Sequence, residues 1–351
     1  MMVPRTPLLE VRDLRTSFFT PDGEVRAVRG ISFALGAGET LGIVGESGSG
    51  KTVTALSVLG LLAATGKITG GELLFHGEDL ARAPQKTLRK IRGKKISMIF
   101  QDSVSSLNPL MTIGKQVGEM FTAHPEALDS KAGGPAPFLW HGRRRLFRRA
   151  LSGKEIDKQV TALLSGVQIP DSGKRRHFYP HELSGGMRQR AMIAIALACR
   201  PEILIADEPT TALDLTIQSQ IIRLLKNAGE EAGMSIIFIT HDLGLVAELC
   251  SRAIVMYAGM IMEEASVDDL FDAPSHPYTL GLFNSTPGME TDTARKPGPI
   301  PGSHPDMLRP PPGCPFSPRC ASAGPRCFDA PPPRRAIGGP ESGHFARCWL
   351  L

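Results

Sequence analysis

Across residues 8–42 apolar positions are threaded singly through charged or small ones. Leu8, Val11 and Leu14 stand among charged neighbours, and Ile31, Phe33 and Leu35 keep a period of two, so the stretch predicts short strands. The pattern then changes to short continuous apolar runs at 41–44, 96–100, 203–206, 236–239 and 253–257. Runs of this kind predict strands buried on both faces, as in an α/β sheet. A glycine-rich turn follows the first run and leads into a predicted helix over 50–61. A helical period over 213–228, between the third and fourth runs, suits a crossover connection. No strand pattern appears between 101 and 184, which predicts a helical subdomain inserted at about 102–182.

Inside that insertion a Pro/Gly/Ala-rich piece at 125–137 precedes the basic run HGRRRLFRR at 141–149. The run reads either as a solvated surface loop or as a contact with lipid headgroups or a partner. Beyond residue 284 prolines recur through Pro333 without a long apolar period, predicting a loop-rich appendage over 285–351 behind one large domain at 8–284. With 351 residues and 42% hydrophobic side chains the chain has enough apolar surface for a sizeable core, which excludes a disordered protein. Its most apolar stretches, such as 193–198, are far shorter than the roughly 20 residues of a membrane-spanning helix. No signal-peptide pattern opens the sequence, so a cytoplasmic location is expected. A net charge of +5 suits nucleotide, lipid headgroups or nucleic acid alike and does not choose among them.

Candidate chemistry begins at GESGSGKT, residues 45–52. Gly45, Gly48 and Gly50 let the backbone turn its N–H groups inward, and with Glu46, Ser47 and Ser49 they complete a loop around phosphate oxygens. Lys51 is expected to reach the β- and γ-phosphates of ATP, and the Thr52 hydroxyl to bind Mg2+. The run ILIADE at 203–208 reads as a buried strand delivering carboxylates to its C-terminal edge, where α/β sheets place ligands. Asp207 is the expected Mg2+ ligand and Glu208 the expected general base for the attacking water. In LSGGMRQR at 183–190, Ser184 is an expected helix cap, and Gly185 and Gly186 leave the helix N-terminus bare for a γ-phosphate.

With LSGG the chain resembles the ATP-binding cassette (ABC) family, over roughly residues 8–284. The resemblance implies a P-loop ATPase with a RecA-like core, an antiparallel β subdomain and the inserted helical subdomain. It departs at the fifth signature position, where Met187 replaces the usual Gln; contacts made by backbone N–H groups and Ser184 tolerate that change. By the same resemblance Gln101 is the Q-loop glutamine, a third Mg2+ ligand, Asp214 in TALD is the D-loop aspartate, and His241 after IIFIT is the switch histidine at the γ-phosphate. Phe18 is the candidate for stacking on adenine, with Phe19 as rival. SLNP at 106–109, HPYT at 276–279 and CPFSPRC at 314–320 further resemble the oligopeptide/dipeptide importer group. Membership implies uptake of short peptides, or of nickel or another small solute. It also implies a second cassette subunit, more consistent with a paralogue than a second copy, two transmembrane permease subunits, an external solute-binding protein, and a place at the cytoplasmic face of the membrane. Two cassettes closing head to tail would sandwich each ATP between one P-loop and the other chain's LSGG. A soluble cassette ATPase acting on nucleic acid or ribosomes is the rival class, but neither a coiled-coil insertion nor a second cassette is visible, and no nucleic-acid partner is expected. Intact Lys51, Asp207, Glu208 and His241 oppose a catalytically dead cassette.

Cys314, Cys320, Cys327 and Cys348 crowd the last 38 residues, spaced C-x5-C-x6-C-x20-C. In a reducing cytosol four clustered thiols argue for metal rather than disulfides. A four-thiolate iron–sulfur cluster or a structural zinc ion would serve, with ordinary buried thiols as the alternative. The resemblance to peptide-importer subunits favours a [4Fe–4S] cluster with a structural role.

Overall fold

The N-terminal strands are longer than the sequence pattern implies. Strand β1 (Leu9–Thr20) and strand β2 (Gly23–Leu35) form one long antiparallel hairpin. Register shifts interrupt their pairing after Val11, Leu14 and Thr16, and Asp13 takes a positive φ of 44°. Bulges of this kind break the alternation of side chains, so the sequence reads as several short strands where the backbone makes two.

A computed structural model describes residues 7–102, 106–125, 152–211, 213–286, 298–339 and 341–351. The basic run at 141–149 lies outside them. After the hairpin come β3 (Thr40–Val44), α1 (Lys51–Leu59), β4 (Gly66–Phe75), β5 (Glu78–Asp79), α2 (Gln85–Ile91), β6 (Ile96–Ile99) and α3 (Ile113–Ala123). Then follow α4 (Gly153–Gly166), α5 (Ser172–Arg175), α6 (Gly185–Leu197), β7 (Ile203–Asp207), α7 (Leu215–Ala232), β8 (Ser235–Thr240) and α8 (Leu243–Leu249). The C-terminal part contributes β9 (Arg252–Tyr257), β10 (Met260–Ser266), α9 (Val267–Asp272), α10 (Pro277–Ser285), α11 (Arg326–Asp329), β11 (Arg335–Ala336) and β12 (Phe345–Ala346). Among the described residues no helix is long and apolar enough to cross a membrane.

The chain divides into two units, residues 1–84 with 238–351, and residues 85–237. In the first unit an antiparallel sheet has the order β2-β1-β4-β5, and a mixed sheet includes β11-β12-β10-β9-β3. Strand β3 pairs parallel with β9, and both are apolar and buried through their length apart from their first residues, Thr40 and Arg252. The C-terminal region is built into this unit: β12 adds antiparallel to the edge of β10, pairing Ala346 with Glu263. The fully buried Glu263 carboxylate accepts hydrogen bonds from the N–H groups of Ser275 (2.7 Å) and His276 (2.8 Å), and lies 2.8 Å from His344 Nε2. A buried carboxylate is tolerable only when so satisfied, which fixes the region to the sheet.

In the second unit β6 and β7 pair parallel, Ile96 opposite Ile203 and Ile99 opposite Ala206. The helices pack by their apolar stripes, Ile113, Val117 and Phe121 of α3 and Val160, Leu163 and Leu164 of α4 all being buried. Buried Arg190 of α6 donates to the Val167 carbonyl (2.8 Å) and to Gln168 Oε1 (3.0 Å) and Gln220 Oε1 (2.8 Å), joining α6 to the end of α4 and to α7.

Candidate active site

The first unit carries the P-loop, between buried β3 and helix α1. Gly45 (φ 152°) and Gly50 (φ 102°) are obligatory: a Cβ at either would lie 2.1 Å from the Met256 carbonyl or 2.6 Å from that of Ala27. The loop is thus drawn against neighbouring backbone at both ends, while its tip at Ser47 and Gly48 is exposed, with nothing within 4 Å of a Cβ built on Gly48. Ser49 is buried and its carbonyl accepts from Gly259 N (2.9 Å). Lys51 Nζ donates to the carbonyls of Gly45 (2.6 Å) and Glu46 (3.0 Å), which holds the ammonium across the loop. Thr52 lies half-buried in the first turn of α1, whose leading N–H groups have no intrahelical acceptor. This cradle of positive φ values, a helix N-terminus and a fixed cation fits a polyphosphate.

His241 is exposed just past β8, and the adjacent Asp242 caps α8 through Gly244 N (2.8 Å). Of the two candidate adenine platforms, Phe18 is half-buried, with the backbone of Gly66 against its ring, whereas Phe19 is 46% exposed.

In the second unit Asp207, 1% exposed, ends β7. Glu208 follows in a left-handed conformation, φ 46°. For a residue with a Cβ that backbone costs about 1–3 kcal/mol, a strain found where a side chain must be aimed. The Glu208 carboxylate accepts from Gln101 Nε2 (2.9 Å) and from Thr211 Oγ1 (3.0 Å). The parallel register that sets Ile99 opposite Ala206 brings these two residues together. Ser184 caps α6, its Oγ accepting from Met187 N (3.3 Å), and Ser184 and Gly185 are exposed, with Gly186 half-buried. Glu182 just before it accepts from Tyr179 N (2.7 Å), and Arg175 Nη1 donates to the Met187 thioether. Asp214 caps α7 through Ile217 N (2.9 Å).

Comparisons with known proteins give the family. A family model described as "ABC transporter" matches residues 28–211. The chain is 47% identical to the oligopeptide transport ATP-binding protein OppD of Salmonella typhimurium over 94% of this chain and 90% of that protein. The chain belongs to the ABC transporter family. The dipeptide transport ATP-binding protein DppD of Bacillus subtilis is 46% identical over 98% of this chain and 94% of its own. A second family model, described as "Oligopeptide/dipeptide transporter, C-terminal region", matches residues 262–327. Among solved structures, a dimeric bacterial ABC transporter cassette superposes with a TM-score of 0.62 at 27% identity, covering 74% of this chain and 98% of its own. The α/β ABC cassette fold and its ATPase class are thereby established for this chain.

The C-terminal region of this ABC cassette protein gathers its four thiols. Cys314, Cys320, Cys327 and Cys348 line one small cavity with Phe316 and Trp349. Burial pushes the Cys314 thiol up to about 11, and raises Cys320 and Cys348 as well. Backbone N–H groups offset part of this, from Phe316 to Cys314, from Ser322 to Cys320 and from Leu350 to Cys348. Among the described residues no group of three or more His, Cys, Asp or Glu is placed to hold a metal ion.

One set of contacts at the P-loop is announced by no motif in the sequence. Arg319, His304 and Tyr278 of the C-terminal region all engage Glu46. Arg319 stands 273 positions away, and no motif spacing links the two.

Proposed function

We propose that this chain hydrolyses ATP to energise import of short peptides through an ABC transporter. The observation carrying the peptide reading is that similarity to oligopeptide and dipeptide transport ATP-binding proteins runs through the cassette and on into the C-terminal region. Gly45 to Thr52 wrap the phosphates of ATP, Lys51 lies against the β- and γ-phosphates, and an aromatic ring at Phe18 or Phe19 stacks on adenine. Thr52, Gln101 and Asp207 hold Mg2+, which supplies positive charge to the phosphate oxygens. Glu208, aimed by its backbone and steadied by Gln101, takes the proton of the attacking water. His241 orients that water at the γ-phosphate. Ser184, Gly185, Gly186 and Met187 serve the ATP on a partner cassette, and Asp214 lies at that junction. Partners are therefore a second ABC ATPase subunit, two permeases and an external binding protein, assembled at the cytoplasmic face of the membrane.

For the four thiols the reading is a [4Fe–4S] cluster, with a zinc ion as the alternative. Each thiolate of such a cluster would bind a different iron; the four cysteines line one small cavity, and N–H groups directed at sulfur are the usual support. The cluster would fasten a proline-rich segment; no step of ATP hydrolysis is assigned to it.

Deleting the gene and following uptake of a labelled tripeptide tests the transport reading. Loss of uptake, restored by the wild-type chain and not by Glu208→Gln, is expected; uptake unaffected by the deletion contradicts it.

A further inference from the structure

Glu46 is the only acidic residue of the P-loop, and it is held on every side. Its N–H donates to the Tyr278 hydroxyl (2.8 Å), its carbonyl accepts from Lys51 Nζ, and His304 Nε2 lies 2.9 Å from its carboxylate. Arg319 grips the carboxylate with both arms, Nη1 to Oε2 at 2.7 Å and Nη2 to Oε1 at 3.1 Å. Bidentate pairs of this kind fix direction as well as charge.

Every remaining donor of Arg319 is also used. Nε donates to the Pro301 carbonyl (2.9 Å), Nη1 to the Tyr257 hydroxyl (3.2 Å) and Nη2 to the Ile300 carbonyl (2.9 Å). The side chain is 4% exposed, and the bond to Glu46 raises the guanidinium above its already high ordinary value. It projects from the single turn Ser317–Arg319, between Cys314 and Cys320. A carboxylate within a loop that receives a polyanion repels it. A guanidinium fully engaged against that carboxylate removes the repulsion and fixes the residue whose carbonyl anchors Lys51.

We propose that Arg319 is a positioning residue for nucleotide binding: by neutralising and clamping Glu46 it keeps the P-loop receptive to the phosphates of ATP. The inference rests on the P-loop being the phosphate site, so Lys51→Ala is measured beside it. The test is the affinity of the full-length chain for Mg–ATP, Mg–ADP and AMP by calorimetry, with melting followed on the same samples. Arg319→Met is expected to weaken ATP about tenfold or more, ADP less and AMP least, since repulsion scales with ligand charge. Arg319→Lys, which keeps the charge and loses the fork, is expected to stay within about threefold of wild type. In a Glu46→Gln background Arg319→Met is expected to change ATP affinity by less than about twofold, as a double-mutant cycle requires of a residue acting through its partner.

Unchanged ATP affinity in Arg319→Met, equal losses for ATP and AMP, or a full loss persisting in the Glu46→Gln background each overturn the proposal. Should Arg319→Met fail to fold, Arg319→Lys decides: wild-type-like affinity supports the charge role, and a tenfold loss in folded protein overturns it. If Lys51→Ala also binds ATP normally, the P-loop reading fails; if Lys51→Ala is weak while Arg319→Met is not, this inference alone fails.

Discussion

The side-chain amide of Gln101 donates to the Glu208 carboxylate across 2.9 Å, at the ends of two parallel strands, β6 and β7. The contact gives the proposed base a fixed direction. Glu208→Gln is expected to retain ATP binding and to lower kcat by about 10²–10⁴-fold, the range for loss of a general base. Gln101→Ala, which removes one of the side chains that orient Glu208, should lower kcat by about tenfold with a smaller change in KM. Steady-state ATPase assays on the assembled complex decide both.

Lys51→Ala removes the cation held by the Gly45 and Glu46 carbonyls. A charge-assisted hydrogen bond contributes about 1.5–3 kcal/mol, so ATP affinity is expected to fall by at least about tenfold. Equilibrium binding of a fluorescent ATP analogue measures this directly.

Ser184 caps α6 and is exposed, so Ser184→Arg leaves the hydrophobic side of that helix untouched. The substitution is expected to abolish hydrolysis at the ATP bound by the partner's P-loop while this chain still binds its own ATP. Photo-crosslinking of labelled ATP to each subunit, with single-turnover hydrolysis, separates the two sites; loss confined to this chain's own P-loop would show that signature and P-loop act in cis.

Cys320→Ser breaks the four-thiol set around the C-terminal cavity. Wild-type protein purified without oxygen is expected to be brown, with visible sulfur-to-iron absorbance, and the variant to be bleached while still binding ATP. Colourless anaerobic wild-type protein without iron refutes the cluster.

The cassette fold was legible because its signals are local. A glycine loop between a buried strand and a helix, an apolar run ending in Asp207 and Glu208, and a serine before two glycines each declare themselves within a few residues. The lengths of β1 and β2 were not legible, since bulges near Asp13 break the alternation on which the reading depended. The Glu46–Arg319 pair was invisible for another reason. Its partners are 273 positions apart, and an arginine between a proline and a cysteine carries no pattern of its own. The thiols lay between these cases: their number suggested a shared site, but only folding shows that Cys348, 21 residues beyond Cys327, reaches the same cavity.

In its proposed function this chain couples ATP hydrolysis to peptide import. The most direct measurement is the ATPase rate of the complex, with its permeases and second cassette, in lipid vesicles supplied with the external binding protein. Peptide-loaded binding protein is expected to raise the rate several-fold over the peptide-free form, with accumulation of peptide inside the vesicles, and Glu208→Gln to abolish both. ATP turnover that is indifferent to peptide, with no peptide accumulated, would contradict the account.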